Sequence, residues 1–148
     1  MMPLTKEKVM ETGISVITST NKPDFMQNIF SNFNNQRWQI KEIIIVLNND
    51  LMNLTEWSKQ ADAYKTISVY QLPEREYLGA CLSFAVNKAK YDYIAKFDDD
   101  DYYGPYYLAE AMRFFQQTNA DLVGKRTYYM YMIDKKLLLL RHPFRENC

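Results

Sequence analysis

The sequence predicts an α/β fold: a mostly parallel central sheet, helices on both faces, and a strand pair near the C-terminus. Two observations carry this reading. Short β-branched and aliphatic runs alternate with segments whose apolar residues recur every three or four positions. The second of these runs is also apolar throughout, as in strands covered on both sides, rather than alternating apolar and polar.

The elements follow in order. Residues 14–18 (ISVIT) form the first strand. Residues 19–24 break it, and Pro23 and Asp24 mark a helix start. Phe25, Ile29 and Phe33 then recur every four residues and share one helical face. Arg37 and Trp38 fall in the loop to a second strand, 42–47 (EIIIVL), which Asn48, Asn49 and Asp50 end. A polar helix covers about 54–63, and a third strand, 66–72 (TISVYQL), stops at Pro73. Leu78, Cys81, Leu82, Ala85, Val86 and Ala89 keep helical spacing, so a third helix covers about 78–90. A fourth strand, 93–97 (YIAKF), runs directly into Asp98, Asp99, Asp100 and Asp101. Gly104 and Pro105 open a fourth helix, with Pro105 at its first position and Leu108, Met112 and Phe115 on its buried side. Residues 121–132 and 136–140 read as two strands joined by a turn at Ile133, Asp134 and Lys135. With no repeats, linkers or low-complexity tracts, residues 1–148 are expected to form a single domain.

Composition narrows the function. The chain is 47% hydrophobic and 24% charged, ordinary for a globular protein, and four Gly and five Pro argue against disorder. Eighteen basic residues balance eighteen acidic ones, which disfavours nucleic acid as a partner, since phosphate backbones call for a basic face. No polybasic segment suits anionic lipid. Cys81 and Cys148 form neither a metal-type pair nor a disulfide framework. Residues 1–13 lack the apolar stretch of a signal peptide, and the aliphatic run 137–140 is too short to span a bilayer. A cytoplasmic protein is expected, with peripheral attachment to a membrane left open.

In open α/β sheets, ligands bind at the carboxyl ends of the strands. Polar clusters stand there in this sequence: residues 18–21 after strand one, 48–50 after strand two, and the four aspartates after strand four. Adjacent carboxylates repel one another, and a hard divalent cation such as Mg²⁺ or Mn²⁺ removes that penalty. Such an ion needs only one or two carboxylates when phosphate oxygens and waters complete its shell. If extended geometry persists, Asp98 and Asp100 point one way and Asp99 and Asp101 the other. One pair then faces a ligand, and the other caps the Pro105 helix or contacts Lys96. The plainer alternative is a solvated turn or helix cap; the position after an apolar strand, beside other polar strand ends, weighs against it.

At these residues the sequence resembles the family 2 glycosyltransferases, with their Rossmann-like GT-A fold. The resemblance lies in ISVITSTNKPD, EIIIVLNND, and EYLGACLSFAVNKAKYDYIAKFDDDDYYGPYYL, and runs from about Thr12 onward. The acidic segment matches the family's Asp-X-Asp motif, followed at the usual distance by a proline. The resemblance implies metal-dependent binding of a nucleoside diphosphate sugar, a UDP-sugar being the expected donor, and transfer to an acceptor with inversion. It places Thr18 and Thr20 near the base and ribose. Asn48 stands where many members carry an Asp that contacts uracil, and Gly79, in the loop before the third helix, would let the backbone approach the nucleotide. Asp98 and Asp99 fall near the ribose, with Asp98 and Asp100 toward the metal. Each of Thr18, Thr20, Asn48 and Gly79 also has a purely structural reading as a strand end, a turn or a tight helix entry. Tyr102, Tyr103, Tyr106 and Tyr107 could stack on a sugar, but core and interface roles suit them better. His142, the single histidine, reads as structural or exposed.

In this family the base that deprotonates the acceptor lies well beyond the Asp-X-Asp motif. Only 47 residues follow Asp101, and Glu146, the one carboxylate near the terminus, is a poor candidate. The expectation is a nucleotide-sugar-binding domain without its acceptor half, and no catalytic residue is assigned. Two other classes compete. One is a nucleotide-sugar-binding module without turnover. The other is an aspartate-based phosphotransfer receiver or phosphatase, which strand one, ending Thr18-Ser19-Thr20, disfavours. The exposed final strands could also pair with a partner or a second copy of the chain.

Overall fold

The computed structural model describes residues 12–143, so Glu146 and Cys148 lie outside the described residues. The chain divides into two compact units at Met112 and Arg113.

The first unit holds four strands: β1 (Ile14–Thr20), β2 (Lys41–Leu47), β3 (Ile67–Gln71) and β4 (Tyr93–Lys96). All pair in parallel, in the order β3-β2-β1-β4. Between them run α1 (Met26–Asn35), α2 (Leu54–Ala61) and α3 (Leu78–Lys88), and α4 (Tyr107–Gln117) follows β4. Right-handed crossovers explain the layering. Progress from β1 to β3 runs one way along the sheet, which puts α1 and α2 on the same face, where Phe30 meets Trp57 at 6.2 Å between ring centroids. The return from β3 to β4 runs the other way and puts α3 on the opposite face, where Cys81 and Ala85 pack on Ile17, Ile44 and Val46. Hence Ile43 to Leu47 are all buried, as the unbroken apolar run predicts.

Local chemistry sets the element ends. Pro23 opens a 3-10 turn, Pro23–Phe25, ahead of α1. The Asn53 side chain accepts the Glu56 N–H at 3.2 Å and caps α2. Gly13 is needed for close approach: a Cβ there would lie 2.1 Å from the Tyr91 ring. Cys81, a free thiol, is fully buried as expected of a small core residue.

Several expected details differ. Phe25 lies in the 3-10 turn, and Phe30 and Asn32 join Ile29 and Phe33 on the buried side of α1. Trp38 in the following loop is buried, its indole donating to the Thr12 carbonyl at 2.9 Å. Leu78 and Val86 are exposed, while Cys81 and Ala85 are buried against the sheet with Leu82, Phe84 and Ala89 packed beside them. Pro105 sits in the turn before α4, which starts at Tyr107; Phe115 is only half-buried while Leu108 and Met112 are buried.

The second unit is built on a hairpin, β5 (Tyr128–Met132) and β6 (Leu137–Arg141), paired antiparallel with Met130 opposite Leu139. The expected strand over 121–132 shortens to its last five residues. Its turn includes Lys136, which adopts a left-handed φ of 48°. Tyr129, Tyr131, Leu138 and Leu140 are exposed on one face of this hairpin.

Candidate nucleotide-sugar site

The strand order reverses between β1 and β4, which makes the C-terminal edge of that pair the topological switch point, the usual ligand crevice of an open α/β sheet. Register brings the chemistry together. β1 and β4 pair as far as Ile17 opposite Lys96, and the Phe97 N–H then bonds the Ile17 carbonyl at 3.0 Å. Beyond that point β1 runs on to Thr20 while the segment after β4 bends away through Asp99, Asp100 and Asp101.

The acidic run bends from Asp99 to Asp101, so regular strand geometry does not continue through it. Asp98 pairs with Lys96. The Thr20 hydroxyl donates to Asp99 Oδ2 at 2.7 Å. Lys22 Nζ donates to Asp100 Oδ2 at 2.9 Å and stands 3.7 Å from Asp99 Oδ1. The Asp99 side chain is 13% exposed, against 50% for Asp100 and 49% for Asp98. Asp99 is thus tied into the protein, while Asp98 and Asp100 face outward, each beside a lysine. The Lys22 ammonium holds the Asp100 carboxyl below its ordinary pKa, and in return the hydrogen bond to Asp100 raises Lys22. Burial, and then its neighbours Asp98 and Asp100, push Asp101 upward.

The acidic loop is fastened from outside. Asn28 and Asn32 lie four residues apart on α1, and Gln36, four residues further on, is the extended residue that ends the helix. Asn28 Nδ2 donates to the carbonyls of Asp99 at 2.7 Å and Asp101 at 2.9 Å. Asn32 donates to the Asp101 carbonyl at 2.8 Å and accepts the Tyr103 N–H at 3.0 Å. Gln36 donates to the Gly104 carbonyl at 2.9 Å and accepts the Leu108 N–H at 3.1 Å, so it caps α4 in place of an aspartate. The Tyr103 hydroxyl accepts the Asp98 N–H at 2.8 Å, and its ring stacks on Phe97 with centroids 3.8 Å apart. Burial pushes the Tyr103 and Tyr107 phenols up. Tyr102 and Tyr106 are exposed, so the four tyrosines divide between core and surface.

The other expected residues are placed less uniformly. The Thr18 side chain is fully buried and its hydroxyl finds no partner among the described residues, which removes it from any solvent-facing surface. Asn48 donates its N–H to the Thr20 carbonyl at 2.8 Å and its side chain to the Pro73 carbonyl at 2.8 Å, joining the ends of β1, β2 and β3. Gly79 belongs to the first turn of α3 rather than to the loop before it, with a negative φ. His142 is exposed in the second unit, where its carbonyl accepts the Thr127 hydroxyl at 2.8 Å. Sequence reasoning missed Lys22 and the three carboxamides. The signal for the latter was present: Asn, Asn and Gln at a spacing of four within a predicted helix.

Among the described residues no three Asp, Glu, His or Cys side chains converge to hold a metal. The donor set fits a hard cation bound by one or two carboxylates and completed by ligand oxygens, not a cage made by protein alone.

Comparison with known proteins agrees with this geometry. Searching the curated proteins finds no significant sequence match. Among solved structures, TarS 1-349 of S. aureus superposes with a TM-score of 0.63 at 17% identity, covering 80% of this chain and 41% of its own. TarS 1-349 in complex with UDP-GlcNAc gives 0.65 at 19% identity, covering 74% and 33%. The mannosyltransferase PcManGT of Pyrobaculum calidifontis, in complex with GDP-Man and Mn2+, gives 0.58 at 19%, covering 75% and 33%. The chain therefore spans less than half the length of each, and the likeness establishes a shared GT-A fold. The sequence profile of glycosyl transferase family 2 matches residues 15–146, nearly the whole chain, from the first strand through the acidic run to the final hairpin, and on that match the chain belongs to glycosyl transferase family 2.

Proposed function

We infer that this chain is the nucleotide-sugar-binding part of a glycosyltransferase that works with inversion and with a divalent metal, Mn²⁺ or Mg²⁺. One observation carries the reading: outward-facing carboxylates, Asp98 and Asp100, stand at the switch point of the sheet beside Thr20. Relatives of this fold support it, since TarS is seen with UDP-GlcNAc and with UDP, and PcManGT with GDP-Man and Mn2+. A UDP-sugar is the donor proposed.

A bound divalent cation would supply positive charge against the diphosphate as it leaves. Asp98 and Asp100 are the residues to hold it. Thr20 keeps Asp99 oriented through its hydroxyl, and Lys22 balances the negative loop until a ligand arrives. Asn48 fixes the rim where the base would lie. No residue here is assigned as the base for the acceptor hydroxyl; that role belongs to an acceptor-binding half. A cytoplasmic setting is part of the same proposal, and no helix of the described residues is long and apolar enough to cross a membrane. So is self-association through the apolar face of the hairpin, which sedimentation at rising concentration tests; a monomer throughout rules it out.

The second reading is a binding module without turnover. Titration calorimetry of UDP and GDP, with and without Mn²⁺, tests the shared core of both. Binding that requires Mn²⁺ and collapses in Asp100→Asn is expected. Absence of nucleotide binding under every condition would overturn the proposal. Once binding is seen, sugar transfer or hydrolysis of UDP-GlcNAc separates enzyme from module.

A further inference from the structure

The acidic loop has a shape that its own sequence does not dictate. Four consecutive aspartates repel one another and carry no local preference for the bend seen here. What fixes the bend is a row of carboxamides on α1 and at its C-terminal end. Asn28 reaches two carbonyls of the loop, Asn32 one carbonyl and one N–H, and Gln36 the Tyr103 and Gly104 carbonyls and the Leu108 N–H of α4. The contacts span residues 99–108 without gaps longer than a few residues. Asn32 and Gln36 are almost fully buried, so these bonds are shielded from water and costly to leave unmade. A carboxamide is suited to this task because it donates and accepts at once and carries no charge to disturb neighbouring carboxylates.

We propose that Asn28, Asn32 and Gln36 are positioning residues for the ligand site: the row sets the backbone of the acidic loop and so decides that Asp98 and Asp100 face outward while Asp99 turns in to Thr20. This rests on the binding reading above. Partners that orient ligating groups typically matter ten- to a hundredfold in metal affinity, and the row is built in that way, through the backbone that carries the carboxylates.

The lead variant is Asn28→Leu, since Asn28 is half-exposed and its loss spares the core; Asn34→Leu, exposed on the same helix, is the control. Two readouts are taken. In calorimetry, Asn28→Leu is expected to weaken Mn²⁺-dependent UDP binding about tenfold or more, with its unfolding midpoint near that of the control. Wild-type affinity in Asn28→Leu would reduce the row to a fold brace and overturn the proposal. The second readout needs no ligand. In hydrogen exchange, the Asp98 and Tyr103 amides should exchange faster in Asn28→Leu, while those of β1 and β2 stay unchanged. Unchanged exchange at both amides would likewise overturn it. If the wild-type chain binds no nucleotide, the binding reading fails by itself, and the exchange result alone decides whether the row shapes the loop.

Discussion

Thr18 and Thr20 lie on the same face of β1, two residues apart, and their hydroxyls meet opposite fates. Thr20 finds Asp99, whereas Thr18 is buried with no partner among the described residues. An unsatisfied buried hydroxyl costs about 1–3 kcal/mol. Thr18→Val keeps the shape and should leave stability unchanged or raise it by about 1 kcal/mol, read by urea denaturation, with nucleotide binding intact; lost binding would restore Thr18 to the site. Gly13→Ala should destabilise by about 1–3 kcal/mol, because its new methyl meets the Tyr91 ring and not a flexible chain end. Lys41 gives a pH signature. Burial lowers its pKa, its ammonium donating to the Gln36 and Trp38 carbonyls. A lysine whose folded pKa is depressed disfavours the folded state while charged. Its contribution to stability therefore rises with pH between the lowered value and the ordinary one near 10.4. The stability difference between wild type and Lys41→Met should shift toward wild type across that window, and a flat difference would refute it. At this scale the sequence was partly legible. Residue types at strand ends announced a site, but not which hydroxyl would be spent inside the core. Burial is decided by neighbours far away in the chain, as Asp99 is from Thr20.

Elements were easier to read than their ends. All four parallel strands stand within a residue or two of the apolar runs that predicted them, and in β1 and β2 burial on both faces leaves an unambiguous pattern. The start of α2 was legible too, since Asn53 and Glu56 cap it locally. Asn53→Ala should lower thermal stability by about 1 kcal/mol; an unchanged melting temperature would show that tertiary packing alone sets that end. The start of α4 was not legible. Its cap is Gln36, 72 residues earlier, and no window along the sequence contains both. The bend of the acidic run escaped for the same reason, since the carboxamides that impose it sit on another element.

For the whole molecule, alternating strands and helices implied a parallel sheet, but strand order follows from how crossovers pack and not from any residue type. The order β3-β2-β1-β4 is what brings the aspartates to the switch point of the sheet. The chain divides into compact units at Met112 and Arg113, and among the described residues the closing hairpin forms a sheet of its own. Two-stranded hairpins are marginal in isolation. Amides of Tyr128–Met132 are therefore expected to exchange with solvent well before those of Ile43–Leu47, by mass spectrometry of fragments; equal protection would show one cooperative unit.

Cys81 turns the packing of α3 into something that can be timed. Its thiol is free and fully enclosed between α3 and the sheet, among Ile17, Ile44, Val46 and Ala85. A thiol reagent can reach it only while the helix is lifted, so the rate of labelling counts those openings one molecule at a time. In a Cys148→Ser background the reagent becomes a clock for the face of the sheet opposite α1. If nucleotide at the crevice slows that clock, ligand binding at the sheet edge is felt across the whole thickness of the sheet.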